Sequence, residues 1–214
     1  MHIPDGMVPP QVVIVGYAVS GGVLMWSLKQ IERSDRNQEQ IPKASLFTAA
    51  FFVSSSLHIP IPPASVHLVL NGLLGAILGY YAFPAIIIGL FFQAVMFQHG
   101  GLSTLGINAL IMGIPALLAG SIFRSRLTFR LKNRFWTGCF GFLAGSTAVA
   151  LSATLFLSTV LFTLPTDIDQ NLEQASLWAL VLAHMPLVIL EGLFTTMVVL
   201  FLDRVKPELI KHYS

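Results

Sequence analysis

Residues 137–162 read TGCFGFLAGSTAVALSATLFLSTVLF and contain no Asp, Glu, Lys, Arg or His. The stretch directly before it, residues 123–136, reads FRSRLTFRLKNRFW and carries Arg124, Arg126, Arg130, Lys132 and Arg134. A helix needs ~20 predominantly apolar residues to cross the hydrocarbon core of a bilayer. The run is long enough, and a water-exposed helix of that length would need a polar face. The pair reads as a transmembrane helix entered from a basic loop.

The same pattern repeats on both sides of it. The 214 residues are 55% apolar and only 10% charged, against about 25% charged in an ordinary soluble domain. Apolar runs broken by polar or Pro/Gly clusters occupy residues 11–28, 45–57, 65–81, 84–98, 104–122, 137–162 and 177–201. They predict an all-α integral membrane protein of seven transmembrane helices, the second and fourth short enough to stand nearly upright or to extend at one end. One polytopic domain then covers residues 1–214, with an N-terminal segment 1–10, a bundle 11–201 and a tail 202–214. The single cysteine, Cys139, excludes an internal disulfide framework, and its apolar setting predicts a buried thiol.

Charge sets the topology. All twelve Lys and Arg lie within residues 29–44, 123–136 and the tail. With seven spans these segments share one face, which the positive-inside bias makes cytoplasmic. The other face carries Asp5, Asp167, Asp169 and Glu173 and no basic residue. The expected arrangement is N-terminus outside, C-terminus inside. The basic segments are accounted for by topology and give no basis for a nucleic-acid partner.

The opening, Met1-His2-Ile3-Pro4-Asp5-Gly6, lacks the basic start, apolar stretch and small-residue cleavage site of a signal peptide. Pro4 at the second turn position and Gly6 at the fourth predict a type I turn, displayed outside. A free terminal amine followed by His2 is a chelator. The amine, the His2 amide nitrogen and one imidazole nitrogen close two adjacent rings in one plane and leave a fourth corner open. All-nitrogen square-planar sites favour Ni(II) or Cu(II). His67 follows Ile59-Pro60-Ile61-Pro62-Pro63 and heads the third span on the same face. Prolines before a helix make a rigid entry, so His67 is expected at the top of that helix, pointing toward the chelating terminus.

His58 and His99 lie near outer ends of spans and are candidates for an entry path or for loop packing. Gly100-Gly101, after His99, predicts close backbone approach or an unusual φ. His184 stands beside Met185-Pro186 in the seventh span, and His212 in the tail. Glu191 is the acid placed deep inside a span. Its predicted partner is a polar side chain, His184 or a proton, because no Lys or Arg lies in any span. Asn71 and Asn108 are expected to bond to neighbouring helices, and Gly75-x-x-x-Gly79 and Gly141-x-x-x-Gly145 to pack closely against them. Glu191 and His184 also leave open an autonomous secondary transporter or channel with an ion or proton path.

No lysine follows a glycine, so there is no phosphate-binding Walker A sequence, and neither H-E-x-x-H nor G-x-S-x-G occurs. Nothing in the sequence supplies a catalytic centre.

Three stretches carry a resemblance. The opening hexapeptide, Gln98-His99-Gly100-Gly101-Leu102-Ser103-Thr104-Leu105-Gly106-Ile107-Asn108, and the segment from His67 into Asn71-Gly72-Leu73-Leu74-Gly75 resemble the CbiM/NikM family. These are the nickel- and cobalt-specific substrate-binding (S) subunits of energy-coupling factor (ECF) transporters. The resemblance implies an S-component bundle of six helices plus an extra N-terminal helix, in the plasma (inner) membrane of a prokaryotic cell. It implies Ni²⁺ or Co²⁺ as transported substrate, with no organic cofactor. The ligands would be the Met1 amine, the His2 amide and imidazole nitrogens and the His67 imidazole. Asp5, His58, His99 and Asn108 would surround the site or its entry path. The implied partners are a membrane coupling (T) subunit, cytoplasmic ATPase (A) subunits and, as a separate protein, a small accessory membrane subunit.

Overall fold

The computed structural model describes every residue except 1, 35–36, 55–57, 62–63, 130, 132, 164–169 and 212–214; side chains are also left undescribed at 37–39, 58–61, 64–67, 170–183 and 211. Each of the seven apolar runs contributes a helix. They are α1 (Pro10–Glu32), α2 (Asn37–Ser54), α3 (Asn71–Leu78), α4 (Ala82–Phe97), α5 (Leu105–Thr128), α6 (Arg134–Thr163) and α7 (Gln170–Val205), followed by a short α8 (Glu208–Lys211). Among the described residues five segments are long and apolar enough to cross a membrane: 10–32, 71–97, 105–128, 134–163 and 184–205.

The 71–97 segment is not one span. At Gly79, with φ 57°, the chain leaves α3, makes a single 3-10 turn over Gly79–Tyr81 and reverses into α4. Tyr80 lies at the far end of the bundle, edge-on to Trp26 and beneath the Arg124 guanidinium. Gln93 lies at the end that holds the N-terminus, where it bonds His2.

The third predicted span needs correction. Residues 65–67 are not its head. His58–Ile61 and Ala64–His67 form an antiparallel pair, β1 and β2, with His58 opposite His67. The helix begins only at Asn71. A residue before proline is pushed out of the helical region, and Ile59 and Ile61 both precede one. Extended backbone is what remains for that segment.

Small residues set the helix spacing. A Cβ at Gly75 would lie 1.9 Å from the Ala116 carbonyl oxygen, and one at Gly72 would lie 2.7 Å from the Gly145 Cα. Thus α3 is pressed between α5 and α6. Gly141 and Gly145 face Val199, Thr196 and Thr195 of α7, as their spacing predicted. The core is filled by Leu74, Ile77, Leu78, Phe83, Ile86, Met112 and Phe123, none more than 1% exposed. By contrast Ile14, Met25, Leu118, Met197 and Phe201 stand exposed on outer helix faces, as expected where the solvent is lipid.

The far end is basic and closed by α8. Lys43 Nζ donates to the carbonyls of Ile77 and Leu209, and Arg126 donates to Thr137 Oγ1 and the Ile210 carbonyl. Ile210 is buried, so part of the predicted tail packs on the bundle. His212 lies outside the described residues. Cys139 is half-buried rather than buried.

Candidate metal centre

The N-terminal segment is threaded into the bundle. Ile3 is fully buried. Its N–H donates to Asn108 Oδ1 at 2.9 Å, while Asn108 Nδ2 and Thr104 Oγ1 donate to its carbonyl at 3.0 and 2.6 Å. Asn108 is 2% exposed and Thr104 0%, and both lie at the start of α5. They satisfy both backbone polar groups of a residue that has left water, as burial requires. Asn108 was expected to bond to a neighbouring helix. It grips the N-terminal segment instead.

Asp5 anchors the same segment from outside. Its carboxylate accepts from Ser103 Oγ at 2.5 Å and from the Ser103 N–H at 2.9 Å, with longer bonds from Leu102 and Thr104 N–H. These amides belong to the loop that leads into α5, where an acid lies near the positive end of the helix dipole. The Ser103 hydroxyl, above all, holds the Asp5 carboxyl below its ordinary value of 3.8. A Cβ at Gly101 would lie 1.9 Å from Asp5 Oδ1, and Gly100 has φ +78°. The Gly100-Gly101 pair therefore makes the room predicted of it. The turn itself is shifted by one residue: the Met7 N–H meets the Pro4 carbonyl, with Gly6 at φ +81° in the third position. A positive φ there is the type II signature, which Gly alone enters freely.

This anchoring puts His2 in a defined place. Gln93, 1% exposed on α4, gives its amide N–H to the Phe51 carbonyl. Its oxygen therefore faces His2 Nε2, 3.0 Å away. In the neutral tautomer that donates from Nε2 to this oxygen, Nδ1 carries the lone pair. That is the ring atom which, with the His2 amide nitrogen, closes a six-membered chelate. The His99 ring stacks alongside, with centroids 6.2 Å apart and planes inclined by 17°. Gln93 was not singled out in the sequence; its signal there is a lone amide inside an apolar helix.

Met1 lies outside the described residues, as do the side chains of His58 and His67. The backbones of the two histidines face each other across the β1–β2 pair. Among the described residues no three His, Cys, Asp or Glu side chains converge; the nitrogen set expected here draws on the main chain as well.

Glu191 was expected to pair with a polar side chain, His184 or a proton. Its carboxyl group meets two backbone amides. Its Oε1 accepts from Val69 N–H, and Leu70 N–H donates to Oε1 at 3.0 Å and Oε2 at 3.2 Å. Asn71, as expected, bonds across helices, to the Met112 carbonyl of α5 and Ser152 Oγ of α6.

An apolar helical bundle that buries its own N-terminal segment is that of a multi-pass membrane protein. The chain matches, over residues 2–209, the family described as CbiM, cobalt uptake substrate-specific transmembrane region. It belongs to that family. A putative metal transport protein of Haemophilus influenzae is 32% identical, over 98% of this chain and 97% of the relative. A putative cobalt transport protein CbiM of Methanococcus voltae is also 32% identical, over 99% and 95%. A putative fused nickel transport protein NikMN of Archaeoglobus fulgidus is 29% identical, over 99% of this chain and 68% of that protein. Among solved structures, a truncated transition metal transporter superposes with a TM-score of 0.74 at 27% identity, covering 95% of this chain and 99% of that one.

Proposed function

We propose that this chain is the substrate-capture subunit of an ECF-type importer for Ni²⁺ or Co²⁺, with its N-terminus outside and its C-terminus in the cytoplasm. The metal is held near the outer face by the Met1 amine, the His2 amide nitrogen and Nδ1, and the His67 imidazole. The observation that carries this reading is the burial of Ile3 under Asn108 and Thr104. It fixes the first residues against the bundle and leaves His2 next to the end where the β1–β2 segment returns. A chelate that is flexible in a free peptide is pre-organised there, which lowers the entropy lost on binding.

All-nitrogen donors discriminate against Mg²⁺ and Ca²⁺, which take oxygen ligands. Without a Walker A sequence the chain draws its work from partners: a membrane coupling (T) subunit, cytoplasmic ATPase (A) subunits and a small accessory membrane subunit. The basic end around Lys43, Arg124 and Arg126 faces those ATPases in the proposed orientation. Glu191 gives no support to an autonomous ion path, since its carboxylate is occupied by two main-chain amides.

The test is Ni²⁺ and Co²⁺ binding by purified protein, comparing the native N-terminus with one extended by a few residues, together with His67→Ala. Extension is expected to abolish tight binding and His67→Ala to weaken it. Equal binding by all three forms would sink the assignment. Uptake that stops when the partner ATPase is inactivated separates the importer from a secondary transporter.

A further inference from the structure

The junction between β2 and α3 is held in an unusual conformation from two sides. Leu70, the residue before α3, has φ 53° and ψ 7°. A bulky non-glycine residue in the left-handed region is strained and persists only where its surroundings over-determine it. The surroundings do so here. From α7, the Glu191 carboxylate takes the amides of Val69 and Leu70. From α5 and α6, Met112 and Ser152 hold the side chain of Asn71. Glu191, Val69, Leu70 and Asn71 are all at most 5% exposed, and β2 itself packs on α7.

The clamp closes on the chain just before α3, since Val69 and Leu70 precede its first residue, Asn71. A carboxylate aimed at their amides forms charge-assisted hydrogen bonds and lies near the positive end of the α3 dipole. Val69 is two residues from His67, the last residue of β2. The position of His67 relative to the bundle is therefore set at this clamp.

We propose that Glu191 is a positioning residue for metal capture: by holding the Val69 and Leu70 amides it fixes where His67 closes the fourth corner of the metal plane. This rests on His67 being a ligand. Partners that orient a ligand without touching the metal typically contribute 10–100-fold in affinity. Loss of the clamp therefore acts through His67 and leaves the three N-terminal nitrogens alone.

The experiment is a double-mutant cycle on the purified full chain, read as Ni²⁺ affinity and as the visible absorption of the Ni²⁺ complex. Glu191→Ala is expected to weaken binding at least about tenfold. It should also move the absorption to the longer wavelength of the His67→Ala complex, in which water has replaced a nitrogen. In the His67→Ala background, Glu191→Ala is expected to change affinity by no more than about twofold, because coupled residues are non-additive. Glu191→Gln keeps an acceptor oxygen and covers the case in which the alanine variant fails to fold. It is expected to give a smaller loss that likewise vanishes without His67. Wild-type-like binding and absorption by the Glu191 variants overturns the proposal, and so does a loss that is undiminished in the His67→Ala background. If His67→Ala itself binds as the native chain does, the ligand set is at fault rather than the clamp.

Discussion

Asn108 holds Ile3 by both ends of its side-chain amide, its oxygen 2.9 Å from the Ile3 N–H and its nitrogen 3.0 Å from the Ile3 carbonyl. One helix residue thus completes, for a buried stretch of main chain, the pairing that a neighbouring strand would otherwise supply. Asn108→Ala removes both bonds and leaves a buried donor unsatisfied, at about 1–3 kcal/mol. With His2 no longer fixed, Ni²⁺ binding is expected to weaken by about ten- to a hundredfold. Titration calorimetry on the two proteins checks this, and an unchanged Kd would mean that threading the N-terminus does not shape the site.

Gln93 should matter through His2. Gln93→Leu keeps the volume and apolar character of α4 but removes the acceptor at His2 Nε2. The imidazole then loses the bond that keeps its hydrogen on Nε2. A loss of about 10–100-fold in Ni²⁺ affinity is expected, with thermal stability altered far less. Retained affinity in Gln93→Leu would show that the metal itself is enough to orient the ring.

The pH dependence has a definite sign. Binding displaces protons from the terminal amine, whose ordinary pKa is about 7.7–8.0, and from the His2 ring and amide. Affinity is therefore expected to fall as pH drops from 8 to 6, by about tenfold per unit for each proton released. Asp5 behaves differently. Its folded pKa lies below the ordinary 3.8, so the stability it contributes is present above that value and is lost as pH falls through the folded pKa. Asp5→Asn should accordingly lower the unfolding temperature at pH 7 and converge on the native protein in strong acid. A binding curve flat between pH 6 and 8 would contradict a site built on an amine.

Gly75 tests the packing of α3. A methyl group there would lie 1.9 Å from the Ala116 carbonyl oxygen, and backbone cannot step aside as a flexible side chain can. Gly75→Ala is expected to destabilise the protein by at least about 1–3 kcal/mol, read as a lower midpoint of thermal unfolding in detergent. A midpoint equal to that of the native chain would mean that α3 and α5 stand further apart than described.

Much of this protein was legible along the chain. Apolar runs need no tertiary information, because a bilayer demands apolar residues at every lipid-facing turn, and each of the seven runs contributes a helix, the third only from Asn71. The chelate proposed for Met1-His2 is read from two adjacent residues alone. The need for space at Gly100-Gly101 follows from the missing side chains, and Asp5 now occupies that space.

What the tertiary structure decided are relations between residues far apart. Local pattern made residues 65–81 one helix and put His67 at its head. In the fold, proline-biased extended chain pairs with itself, and α3 starts late, just after two amides held by Glu191, more than a hundred residues on. The partner of Glu191 could not be read from side chains because it is main chain, and every residue carries the same amides. Gln93 was silent for a related reason: an amide in an apolar helix has no meaning until the fold places His2 at one end of it and the Phe51 carbonyl at the other. Sequence by itself determined which segments are apolar enough to enter the membrane. Only the tertiary structure decided what holds His2 and the junction before α3, because burial leaves main-chain groups to be satisfied by whatever the fold brings near.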